Sequence, residues 1–187
     1  MKTSDVQILF ADLQPYLISG SSTVHPDVLS TAAGALASAA KILNIPMTFS
    51  IIPEDGKPGK LIPQLLSYAN SENTYCRKVA SPFLDKPTAE ALTKNERKIL
   101  VIAGFSAEVV VLHASLDALA AGYVVQVPLE VIGGRSQRTE ESILRQIERA
   151  GGITTSILTL ITRLEPDLSR PPGSTALAAL QVLRSHS

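Results

Sequence analysis

The chain has 187 residues, 45% of them hydrophobic and none tryptophan, which suits one domain with a sizeable aliphatic core. Lys plus Arg and Asp plus Glu both total 17, so there is no basic excess for a nucleic-acid backbone or an anionic membrane surface. A single cysteine, Cys76, excludes an internal disulfide and favours a reducing compartment. No apolar run reaches the roughly 18–20 residues of a membrane helix, and MKTSDVQILFADLQ lacks a secretory apolar region. The expectation is a cytoplasmic protein whose partner is a small molecule or another protein.

VQILFA (6–11) is a continuous apolar run ending at Asp12, and it predicts a strand buried on both faces. Pro26 opens a predicted helix to about Asn44. Its small, apolar centre suits a helix lying flat on a sheet. MTFSII (47–52) predicts the second strand and PEDGKPGK (53–60) an exposed loop. LIPQLLSYAN (61–70) fits no long regular element, because Pro63 interrupts it. NTYCRKV (73–79) predicts a strand and TAEALTKNE (88–96) a helix.

KILVIAGF (98–105) carries the clearest strand pattern in the chain. A helix over about 107–121 follows, with Val111, Leu112, Ser115, Leu116 and Leu119 at helical spacing and Gly122 as its stop. YVVQVP (123–128) predicts a strand, EVIGGRS (130–136) a loop, and SQRTEESILRQIERAGG (136–152) an amphipathic helix with Ile143, Leu144 and Ile147 on one face. ITTSIL (153–158) predicts a last strand. Repeated strand–helix–strand units imply a three-layer α/β/α domain over residues 1–163, with a mostly parallel, Rossmann-like sheet. Residues 164–187 read as a linker, LEPDLSRPPG, and a short Ala/Leu helix. That helix is too short to stand alone in water, so it is expected to pack on the domain or on a neighbouring subunit.

In an open parallel sheet, ligands bind beyond the carboxyl ends of strands, where the strand order reverses. Three places satisfy that rule: Asp12 after the first strand, Cys76–Arg77–Lys78 late in the third, and GFSAEV (104–109) after the fourth. Asp12 is either a loop-capping carboxylate or an acid whose pKa burial raises, and Lys78 can supply a cation that tunes it. Cys76 reads as a small side chain or, beside an ammonium, as an activated thiol. IGGRS (132–136) reads as a glycine-rich turn or as an anion site built from backbone amides. His25, His113 and His186 are scattered and nothing has metal-ligand spacing, so neither metal nor cofactor is expected. GxGxxG, GxxxxGK[ST] and GxSxG are all absent.

ILFADLQPYL, RKVASPF and ILVIAGFSAEVVVLHASLDALAAGYVVQVPLEVIGGRS, spread over about residues 5–160, together resemble the isochorismatase-like hydrolases, or cysteine hydrolase superfamily. The resemblance implies that the family's aspartate falls on Asp12 and its lysine on Lys78, although the spacing to Phe83 suits Arg77 slightly better. Only one of those neighbours can point inward from a regular strand. The nucleophilic cysteine falls on Val110, which cannot attack a carbonyl. The turn that helps build the family's oxyanion hole falls on Phe105, Ser106 and Ala107, and a cis peptide there would join Phe105 to Ser106. The first functional reading is a thiol-independent hydrolase of a small polar metabolite that uses Asp12 and Lys78. The alternative is a catalytically inactive family member acting as a small-molecule-binding or assembly protein. Cys76 as a relocated nucleophile is a third, minor reading. The resemblance also implies a homo-oligomer.

Overall fold

The computed structural model describes residues 1–186; Ser187, the end of the expected tail unit, lies outside the described residues. Strand β1 (Val6–Ala11) is buried along its whole length and leads through a turn into the short helix α1 (Pro15–Ile18). Helix α2 (Pro26–Ile42) starts at a proline, and the His25 ring accepts a hydrogen bond from the Asp27 N–H at its cap. Strand β2 (Met47–Ile51) is followed by a small antiparallel hairpin, β3 (Pro53–Glu54) and β4 (Lys57–Pro58), where an exposed loop was expected. Next come β5 (Thr74–Cys76), α3 (Lys86–Lys94) and β6 (Ile99–Phe105). A π-helical turn, Ala107–Val111, runs straight into α4 (Leu112–Ala120), and Gly122 ends that helix at φ +88°. Strands β7 (Val124–Pro128) and β8 (Ile132–Gly133), helix α5 (Gln137–Arg149), strand β9 (Ile153–Thr155) and helices α6 (Ile157–Leu164) and α7 (Gly173–Ala179) complete the chain.

The strands form one parallel sheet in the order β5-β2-β1-β6-β7-β9, with β8 paired to the end of β6. Side chains of successive residues alternate between two buried faces, as expected of a strand covered on both sides. Val6, Ile8 and Phe10 of β1, with Val101, Ala103 and Phe105 of β6, face α2, α6 and α7. Leu9 and Ala11, with Leu100 and Ile102, face the layer that supplies Leu92, Ala114, Ala118 and Ile147. Phe10 and Phe49 stack at 5.2 Å between ring centres within the first layer. The small side chains of Ala32, Ala33, Ala37, Ala39 and Ala40 let α2 lie close against the strands.

Besides that hairpin, the structure corrects two expectations of strand length. ITTSIL is not a six-residue strand: β9 stops at Thr155, and the Ser156 hydroxyl accepts the Thr159 N–H to cap α6. The apolar run ILTLITRL carries helical spacing, with Ile157, Leu160, Ile161 and Leu164 buried. NTYCRKV is a strand only over Thr74–Cys76. The tail helix α7 packs on α2 and α6 of its own chain and buries Ala176 and Leu180.

Where the chain leaves β1 for β2 and β5, and β6 for β7 and β9, the strand order reverses, so the crevice opens beyond β1 and β6. Gly104 of β6 lies level with Ala11 of β1 there, and an added Cβ would sit 2.6 Å from the Ala11 carbonyl oxygen. Gly104→Ala is therefore expected to push the two central strands apart and lower stability by about 1–3 kcal/mol. Urea unfolding measures this, and an unchanged midpoint would contradict the close approach.

Candidate functional site

Asp12 follows β1 directly and adopts φ +58°, a left-handed conformation that aspartate tolerates better than most residues. Its N–H still bonds to the Ser50 carbonyl at 2.8 Å, which holds it beside the end of β2. The side chain turns inward and is 8% exposed. Arg77 meets it with two parallel hydrogen bonds, Nη1 to Oδ1 at 2.6 Å and Nη2 to Oδ2 at 2.7 Å, and Nη2 also donates to the Ala80 carbonyl at 3.2 Å. The Arg77 side chain is 1% exposed, and among the described residues its Nε–H has no partner.

The inward cation is thus Arg77, not Lys78. Arg77 lies one residue beyond β5, where its N–H continues the ladder to the Ile51 carbonyl at 2.9 Å. The chain then bends over residues 78–80, and Lys78 is exposed. Among the described residues Lys78 has no ion-pair partner, and it stands at the rim of the cleft. Chemical likeness to the family's lysine favoured Lys78; the backbone register decides for Arg77.

Burial pushes the Asp12 carboxyl above its ordinary value, while the hydrogen bonds and charge of Arg77 pull it down. The residues opposite come from the turn after β6. The peptide bond between Phe105 and Ser106 is cis. The Val111 N–H reaches back to the Ser106 carbonyl at 3.3 Å, the i-to-i−5 bond of a π turn. Val110 is fully buried in the layer beneath α4, with Ala107 and Val111. Val109 is instead 45% exposed and lines the cleft, a residue that sequence reasoning passed over. The cleft holds about 350 Å³ between Asp12, Ile52, Pro53, Arg77, Lys78, Val79, Ala80 and Val109. No hydroxyl, thiol or imidazole is among these residues.

Gln14 is a second residue whose role was not read from the sequence. It is fully buried, and its amide donates to the Ile52 carbonyl at 3.1 Å and accepts from the Ile52 N–H at 2.8 Å. That two-way bond ties the segment after β1 to the residue before the β3–β4 hairpin, so it fixes one wall of the cleft. The D-x-Q spacing was the available signal, since residues 12 and 14 emerge together.

The IGGRS turn does hold an anion, and that anion is the protein's own Glu108. Its Oε1 accepts the Arg135 N–H and the Thr139 hydroxyl, each at 2.8 Å. Burial alone would raise the Glu108 carboxyl, but hydrogen bonds from its own backbone, Thr139, Arg135 and Ser106 together hold it below the usual range. The Arg135 guanidinium also lies over the Phe105 ring at 5.8 Å. The loop 134–136 and the first turn of α5 are thereby clipped onto the turn 105–108.

Cys76 is exposed and lines a different hollow, with Lys60, Leu61 and Leu66 among others, and Asp12 does not border it. Of the residues singled out from the sequence, Asp12 and Lys78 border one cleft, while Cys76 stands apart. Among the described residues no group of three or more His, Cys, Asp or Glu could hold a metal ion.

A three-layer α/β/α sheet with a buried acid–cation pair at its reversal point, facing a strand–turn–helix, defines the class of cysteine-hydrolase-like folds. The isochorismatase domain model matches residues 6–158, and the chain belongs to that family. A probable hydrolase, YcaC of Escherichia coli, is 27% identical over 158 residues, covering 79% of this chain and 72% of that protein. The structure of YcaC from Pseudomonas aeruginosa, with hexane-2,5-diol and covalent acrylamide, superposes with a TM-score of 0.88 at 24% identity, covering 99% of this chain and 96% of that one. Escherichia coli YcaC, described as an octameric hydrolase of unknown specificity, gives 0.87 at 24% identity, covering 100% and 89%. Among the described residues no helix is long and apolar enough to cross a membrane.

Removing one partner of a buried ion pair leaves an uncompensated charge, which costs about 3–5 kcal/mol. Arg77→Met is expected to lose that much at neutral pH, whereas Lys78→Met, at an exposed position, should change stability by no more than about 0.5 kcal/mol. Without Arg77 nothing opposes the rise in the Asp12 pKa, so the Arg77→Met deficit should shrink as pH falls through the carboxylate range and Asp12 takes up a proton. Unfolding of both variants across pH checks this; equal losses in the two would contradict the assignment of Arg77.

Proposed function

We propose that this chain is a catalytically inactive, small-molecule-binding member of the isochorismatase family that assembles with copies of itself. One observation carries the reading. Arg77 covers both carboxylate oxygens of Asp12, at 2.6 and 2.7 Å, and Val109 is the residue that the turn after β6 presents to the cleft. Arginine does not give up its proton near neutrality and cannot relay one as a tuned lysine can. Valine cannot form an acyl intermediate. The retained cleft of about 350 Å³, small but within the range of ligand sites, supports binding without chemistry.

A thiol-independent hydrolase remains the competing reading, because burial raises the Asp12 carboxyl in the direction a general acid requires. Against it stands the exposure of Lys78, the cation that reading relies on. Presenting vinyl ethers, esters and amides to the wild type and to Asp12→Asn separates the two. Rates at the buffer background for both proteins are expected. Turnover by the wild type that disappears in Asp12→Asn would sink the inactive reading and establish Asp12 as the acid.

Assembly is supported by the octameric description of the Escherichia coli relative. Sedimentation equilibrium is expected to give a multiple of the chain mass at micromolar concentration. A strict monomer would overturn that part of the proposal.

A further inference from the structure

The cleft beside Asp12 combines apolar walls with one buried acceptor group, and that combination restricts what it can hold. Resting on the reading of the protein as a binding member of its family, we infer that the cleft receives a compact neutral alcohol. The ligand has an apolar body and one hydroxyl that donates to the Asp12 carboxylate.

Ile52, Pro53, Val79, Ala80 and Val109 supply the walls, so the body of the ligand is hydrophobic. Only three lining residues, Asp12, Arg77 and Lys78, carry polar side-chain atoms. The Arg77 side chain is 1% exposed, and its terminal nitrogens face Asp12 and the Ala80 carbonyl. Lys78 stands exposed at the rim, where water and salt screen its charge. Asp12 is the group left to meet a ligand inside the cleft. Its side chain is 8% exposed and borders the opening.

An ionised carboxylate has about four acceptor sites, two on each oxygen. The parallel contacts from Arg77 use one on Oδ1 and one on Oδ2, and among the described residues no other donor reaches either oxygen. A ligand hydroxyl therefore finds an acceptor that is charged, buried and only half used. A hydrogen bond to such a group is about twice as strong as a neutral one. Full charges fare worse. Asp12 and Arg77 already neutralise each other in contact, so a third charge loses its hydration with no free counter-charge beside it. A ligand carboxylate has no proton to donate and meets Asp12 as a like charge, while an ammonium is opposed by Arg77. A primary amide donates too, but its carbonyl is left against apolar side chains. At about 350 Å³ the cleft sits near the lower end of ligand sites, which restricts the body to something close to a single ring.

Ligand-observed NMR titration with benzyl alcohol and anisole tests the assignment, because the two are isomers and anisole has no O–H. Benzamide, benzoate and benzylammonium are titrated alongside. Benzyl alcohol is expected to bind at least about tenfold more tightly than anisole or either ion, and more tightly than benzamide. Lys78→Gln and rising salt should leave its affinity unchanged. Asp12→Leu combined with Arg77→Met replaces the buried pair by apolar side chains, a change that folds often tolerate. In that double variant benzyl alcohol and anisole should bind equally. Val109→Trp, at an exposed lining position, should fill the cleft and remove binding of every ligand while thermal unfolding shows an intact fold. Equal affinity of the wild type for benzyl alcohol and anisole, tighter binding of benzamide or of either ion, or no saturable binding of the alcohol at millimolar concentration would each overturn the inference. An alcohol preference that survives in the double variant, or binding that survives Val109→Trp, would do the same. Turnover of the hydrolysis panel with the alcohol preference intact would overturn the inactive reading alone. Loss of the alcohol preference without turnover would overturn only the ligand assignment.

Discussion

The Asp12–Arg77 pair removes two full charges from water at the mouth of the sheet, and the rest of the site is arranged around keeping them satisfied. Desolvating such a pair is costly, and the cost is offset only when geometry is good and the remaining polar atoms are bonded. The bidentate contact at 2.6 and 2.7 Å meets the first condition. The second is met in part, by the Ala80 carbonyl, and one guanidinium donor is left over. For Arg77 to arrive there, β5 must end at Cys76 and its ladder must run one residue further, to Ile51. For Asp12 to meet it, the chain must leave β1 through a left-handed residue. Both requirements hang on β2, which lies between them in the sheet.

On the other side of the cleft, the turn after β6 is lined by aliphatic side chains. Val110 completes the layer beneath α4, and Val109 presents an apolar surface to the opening. Glu108 is held by hydrogen bonds from Arg135 and Thr139 and fastens the loop before α5 to this turn. An anion at that loop is an attractive arrangement for the backbone N–H groups it exposes, and the protein fills the place internally. The turn therefore keeps its shape through hydrogen bonds and packing that do not involve a reactive group.

Much of the fold was legible because burial on both faces leaves a direct mark on sequence. VQILFA and KILVIAGF are continuous apolar runs of strand length, bounded by Asp12 and by the helical spacing that starts near Val111. The end of the chain was less legible. ITTSIL reads as a strand over its full length because Ile and Thr favour strands, yet Ser156 can cap a helix whose apolar residues recur at 157, 160, 161 and 164. Local preference and helical periodicity compete over those few residues, and packing of α6 beside α7 settles it. The role of Gln14 leaves no local mark, since its two bonds to Ile52 span 38 residues of sequence.

The sequence by itself determined the three-layer architecture and the family to which the chain belongs. These follow from residue type and from patterns confined to a few neighbouring positions. Only the tertiary structure decided which cation meets Asp12. Arg77 and Lys78 are adjacent and both positive, but the ladder holds Arg77 inward beside Ile51 while the chain bends away at Lys78. The choice depends on the register of β5 against β2, a relation between segments more than 20 residues apart in the chain that no local pattern encodes. The same register leaves Lys78 at the rim and aims Arg77 at Asp12, and the character of the cleft follows from that one placement.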